Sequence, residues 1–188
     1  MLPPGHIAAG YVTTKALLHY THAQLTHHQQ TVLLWWGSVL GLAPDFDVFY
    51  WLVKHRTLKA EHKTDNHRYF LSHAPILWLL AGGLIFLLAP TEYGKLFGLL
   101  VWLCSWSHFV LDSIQYGIMW LWPLNKRIYC LFPIIQEDRF QDTLVASRNQ
   151  NFFRYWFTWL LAYSRALSIS LACEAIICLI TVVILIKY

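Results

Sequence analysis

Residues 167–186, LSISLACEAIICLITVVILI, carry a single charge, Glu174. A helix of that length rises about 30 Å, the thickness of a bilayer's hydrocarbon core. In lipid every backbone N–H and C=O must be satisfied within the segment, so an apolar run this long leaves the chain little choice but a helix. Its neighbours must then be helical too. The other apolar runs agree. Residues 74–90, APILWLLAGGLIFLLAP, are uncharged and bounded by proline, and 96–122 are broken only by His108 and Asp112. Charged residues make up 13% of the chain, against roughly a quarter in a soluble domain. The expected fold is all-α: a polytopic helical membrane protein, one domain over 1–188, with about three to five membrane-associated helices around a polar metal site.

Local signals divide the chain further. Residues 5–22 read as a short helix opened by Pro-Pro-Gly, and 21–31 as a polar loop or exposed helix end whose His22, His27 and His28 are solvated. The first residues lack a basic cap, and Lys15 interrupts their apolar run, so they read as retained rather than as a cleaved signal. In 31–53, Pro44 removes a backbone donor and biases Ala43 away from helix, predicting two helical pieces broken at Pro44-Asp45-Phe46-Asp47. Ser72 reads as the N-cap of a helix beginning at His73. Region 124–151 is mixed, and 152–166, FFRYWFTWLLAYSRA, looks interfacial. The four cysteines form no CxxC and read as packing residues.

Basic residues concentrate in two places. Loop 54–68 carries Lys54, Arg56, Lys59, Lys63 and Arg68; region 124–165 carries Lys126, Arg127, Arg139, Arg148, Arg154 and Arg165, so that together they hold eleven of the fourteen. Two apolar runs separate them, which puts both on one side, and the positive-inside rule makes that side cytoplasmic. A net charge of +4 spread in this way forms no basic stripe interleaved with exposed aromatics, and nucleic acid is not an expected partner.

The ionisable residues inside apolar runs are the functional signal, because each costs a few kcal/mol there. His108 and Asp112 stand at i and i+4, on one face of a helix about 5–6 Å apart. They could share a divalent metal or simply pack two helices through a hydrogen bond. Asp45 and Asp47 flank Phe46 after Pro44; one carboxylate is accounted for by helix capping, and two are better explained by a cation. His67 and His73 bracket RYFLS at a helix mouth, and His6 stands near the N-terminus. Together His6, Asp45, Asp47, His67, His73, His108 and Asp112 form a mixed imidazole–carboxylate set without cysteine. Such a set suits zinc, with manganese and iron as alternatives.

GHIAAG, GSVLGLAPDFD, HRYFLSH and SHFVLDS…WLWP, in that order, resemble the YdjM/YbcI-type bacterial inner membrane proteins, described as membrane-bound metal-dependent hydrolases. The likeness runs from about residue 5 to about 135. It implies that His6, Asp45, Asp47, His67, His73, His108 and Asp112 are the family's polar motif residues. Arg68 and Ser72 take the places of the Arg and Thr in its HRGxTHS motif, while Tyr69 replaces its Gly and Ala74 its final Ser. A fainter similarity is to the zinc-dependent phospholipase C and nuclease class, although a second HxxxE/D is absent here.

The expected activity is hydrolysis, at a divalent metal, of a phosphoester in a membrane lipid or lipid-linked substrate. Asp47 is a candidate base, and Arg68 a candidate phosphate partner through its planar fork. The alternatives are a divalent metal transporter and a non-catalytic scaffold stapled by metal.

Overall fold

The computed structural model describes residues 2–59, 69–132, 134 and 137–187. They form helices α1 (Pro3–Thr21), α2 (His27–Leu42), α3 (Asp47–His55), α4 (Pro75–Leu88), α5 (Glu92–Asp112), α6 (Glu137–Ser147), α7 (Phe152–Ala166) and α8 (Ser168–Lys187). No strand occurs among the described residues. Three helical runs, His27–Lys54, Glu92–Asp112 and Ser168–Lys187, are long and apolar enough to cross a membrane; Pro75–Leu88 is apolar but shorter.

The bundle is α1 against α2, α4 against α5, α5 across both α1 and α2, and α8 along α1. Lipid tails are as apolar as leucine, so packing in a membrane depends on close backbone approach at small residues. Two crossings are built this way. Gly37-Ser-Val-Leu-Gly41 on α2 meets Gly10 on α1: a side chain at Gly10 would strike the Gly37 carbonyl, and one at Gly41 the His6 carbonyl. Gly82 and Gly98 do the same for α4 and α5, where a Cβ on Gly82 would lie 2.5 Å from the Gly98 oxygen. Between the crossings Leu33, Leu40, Leu96, Leu100, Val101 and Cys104 form the main apolar cluster.

Helix ends follow the sequence signals with two departures. Pro44 lies in a 3-10 turn, Ala43–Phe46, between α2 and α3, as the break predicts. Thr26 and Gln29 cap α2 reciprocally. Ser72, however, is not an N-cap. It sits in a 3-10 turn, Leu71–His73, and α4 begins at Pro75 with Ala74 before it, because proline suits a first helical position and a residue preceding proline avoids helical geometry. The apolar run 96–122 is not one helix either. The Gly117 N–H closes back on the Asp112 carbonyl at 2.8 Å, Gly117 takes φ +87°, and Ile118 pairs with Tyr129 through both backbone bonds, 3.0 and 2.9 Å.

The chain directions alternate, so that the start of α1, the end of α2, the start of α4, the end of α5 and the start of α8 gather at one end of the bundle. Among the described residues Arg56 and Lys59 follow α3, and Lys126 and Arg127 follow α5.

Candidate metal centre

Each polar motif residue within the described segments lies at this end. His6 is in the first turns of α1, Asp45 in the 3-10 turn after α2, His73 just before α4, and His108 and Asp112 in the last turns of α5. The side chains of His6, His73, His108 and Asp112 are fully buried, and that of Asp45 is 21% exposed. Burying ionisable groups in this way requires compensation.

The contacts fall into two kinds. Those on the Nδ1 edges are hydrogen-bond length: His108 Nδ1 is 2.9 Å from the Gly41 carbonyl, and His73 Nδ1 is 3.0 Å from Asp47 Oδ2. A carbonyl and a carboxylate can only accept, so both rings carry their proton on Nδ1 and turn a lone pair outward at Nε2. Contacts on the Nε2 edges are longer. His6 Nε2 is 3.4 Å from Asp112 Oδ1 and 4.0 Å from Asp45 Oδ2. His73 Nε2 is 3.4 Å from Asp45 Oδ1, and His108 Nε2 is 3.6 Å from both Asp45 Oδ1 and Asp112 Oδ2. Hydrogen bonds from nitrogen to oxygen span about 2.7–3.2 Å. Two ligands each about 2.0–2.2 Å from a tetrahedral zinc stand about 3.3–3.6 Å apart. Four of these five separations therefore have the spacing of atoms around a cation, and that between His6 and Asp45 is longer. In keeping with this, His6 Nδ1 and Nε2 and His108 Nε2 are buried without a hydrogen-bond partner.

Two groups could hold a metal: His6, His108 and Asp112, and Asp45, His73 and His108. They share His108, whose Nδ1 is committed to Gly41. An imidazole nitrogen has one lone pair, so His108 Nε2 serves a single ion, and the two groups overlap at that residue. His6 and His108 stack at 3.7 Å between ring centroids.

Asp47 stands one step back. Its Oδ2 takes the His73 contact and accepts a hydrogen bond from Ser72 Oγ at 2.9 Å. It therefore orients His73 rather than joining either metal-holding group, the arrangement by which outer carboxylates set the tautomer and basicity of a ligating histidine. His67 and Arg68 lie outside the described residues.

Glu174 has a part that reading one apolar run could not reveal. From α8 its carboxylate accepts the backbone N–H groups of Leu2 and Gly5, both at 3.3 Å, at the start of the helix that bears His6. No side chain caps α1 from its own N-cap position. The hint in the sequence is a lone carboxylate in the most apolar of the three candidate spans.

The sequence model for the YdjM inner membrane protein matches residues 1–187 of the chain. No curated protein and no solved structure matches it.

Proposed function

The chain belongs to the YdjM inner membrane protein family, and from that premise we propose that it is a membrane-bound metal-dependent hydrolase of phosphoesters in lipid or lipid-linked substrates. The observation that carries this reading is the two-edged bonding of His73 and His108, with Nδ1 tied to protein acceptors and Nε2 held at ligand spacing.

His6, His73 and His108 would bind the cation through Nε2, with Asp45 and Asp112 supplying oxygen. Three imidazoles and two carboxylates without sulfur suit zinc first, and manganese or iron next. When bound, such a cation supplies Lewis acidity and lets water act as a nucleophile near neutral pH. The chain's own residues do the rest. Gly41 and Asp47 fix the tautomers of His108 and His73. The glycine crossing of α1 on α2 holds His6 over His108. Burial of His6, His73, His108 and Asp112 keeps bulk water from the inner side. Asp45 alone of the five reaches the surface, so an incoming substrate meets this carboxylate first, and a proton released there has it as the nearest acceptor. Arg68 keeps its role as phosphate partner in this reading. By the positive-inside rule, the basic residues that follow α3 and α5 support a cytoplasmic face for the site.

A transporter needs access from both membrane faces. Both metal-capable groups among the described residues lie at one end of the bundle, which favours hydrolysis. The test is purified protein in detergent, loaded with zinc or manganese and given phospholipid and polyprenyl-phosphate substrates. Turnover that disappears in His108→Ala and Asp112→Ala is expected. A metal-loaded wild type that leaves every such substrate intact overturns the hydrolase and leaves a structural metal.

A further inference from the structure

The metal centre opens at Asp45, and what surrounds that opening is apolar. Phe46, beside it, is 45% exposed, Phe49 one turn on is 61% exposed, and Leu71, two residues before His73, is 55% exposed. Along α3, Val48, Phe49, Leu52 and Val53 share one exposed face. Beyond the turn that precedes it, α3 packs substantially on no other helix among the described residues.

A second helix repeats the pattern. In α7, Tyr155, Tyr163 and Ala166 are buried, the last two against Phe140 and Leu144 of α6, while Phe153, Phe157, Leu160 and Leu161 point outward together. Arg154 and Arg165 border that outward face on one side. A helix with one apolar face open and basic residues at its margin is built to lie in a membrane surface, apolar side in the acyl boundary and cations among anionic headgroups. Its level is set by connection: one residue separates α7 from α8, a helix long and apolar enough to span a membrane with Ile176, Leu179, Ile180 and Val183 exposed. A contact links the two segments: Lys59, four residues beyond α3, donates to the Arg148 and Gln150 carbonyls at 3.0 and 2.6 Å, between α6 and α7.

We propose that α3 and α7 form a collar lying in the headgroup layer of the leaflet at the site end, so that the mouth at Asp45 opens onto lipid headgroups rather than bulk water. The collar stands on the membrane character of the chain; its consequence, that the substrate enters sideways from the leaflet with its phosphate leading, rests on the hydrolase reading above.

The experiment uses wild-type protein in mixed phosphatidylethanolamine and phosphatidylglycerol vesicles and requires no turnover. A phospholipid with a photoactivated carbene precursor near its headgroup is cross-linked, and labelled residues are mapped by mass spectrometry, with hydroxyl-radical footprinting in parallel. Carbene label on 47–53 and 152–161 as well as on α8 is expected, with Phe49, Phe153 and Phe157 shielded from radicals. In F153E/F157E the label on α7 is lost and that on α8 kept. Label confined to α2, α5 and α8, with Phe49 and Phe153 oxidised from water, overturns the collar and leaves the hydrolase reading standing. Inert but correctly labelled protein does the reverse.

Discussion

Replacing Gly41 with alanine probes whether the α1–α2 crossing sets the metal centre. The added methyl would run into the His6 carbonyl oxygen and lie 3.0 Å from the Gly10 Cα. Unstrained contacts to carbon begin near about 3.5 Å, so the helices must part by about 1 Å. Both partners in that collision serve the site. His6 is itself a ligand candidate, and the Gly41 carbonyl is the group that fixes His108 at 2.9 Å. Metal–ligand distances tolerate about 0.2 Å, so a displacement of this size cannot be absorbed within the centre. Overpacking of this kind costs about 1–3 kcal/mol, which at 1.4 kcal/mol per decade is about a 5- to 150-fold loss of zinc affinity. The assay is competition between detergent-purified protein and a fluorescent zinc chelator, with helicity followed by circular dichroism. Gly83→Ala is the matched control, since nothing lies within 4 Å of a side chain added at that position on α4. It should bind zinc as wild type does, while Gly41→Ala stays helical and binds within the weakened range. A Gly41→Ala protein with wild-type affinity would refute the link between backbone approach and ligand geometry.

Asp47→Asn should weaken zinc binding about 10- to 100-fold, the usual cost of losing an orienting partner, and less than Asp112→Ala does; equal losses in a titration would put Asp47 among the ligands. Glu174→Ala should destabilise the bundle by about 0.5–2 kcal/mol through loss of the α1 cap, with Glu174→Gln intermediate, as measured by unfolding in mixed micelles; an unchanged midpoint rejects the clamp. Chelation by EDTA should lower the melting temperature and zinc should restore it, since zinc at about 100 times its Kd adds about 2.7 kcal/mol; His108→Ala should show neither change.

Where a residue's meaning depended on local periodicity, it was legible in the sequence. His108 and Asp112 are one turn apart in an apolar run, and both point at the site as that spacing implies. Pro44 announced the break that turns Asp45 inward. Meanings created by distant approach were not legible. Asp45 and Asp47 look equivalent two residues apart, yet they part company because His73, from the turn before α4, sits between them and takes one on each ring edge. His6 carries the weakest local signal, and only the Gly10–Gly37–Gly41 crossing makes it a member. Glu174 acts 172 residues away in sequence, so no window along the chain could have found it.

The five donors are spread over the first, middle and later parts of the chain, with no local segment holding more than two: His6, Asp45, His73, then the His108–Asp112 pair. Individual helices can enter a bilayer singly, but chelation must await their lateral meeting. In the proposed reading, uptake of the ion therefore reports finished assembly, since a chain halted before residue 108 completes neither of the two groups that could hold a metal.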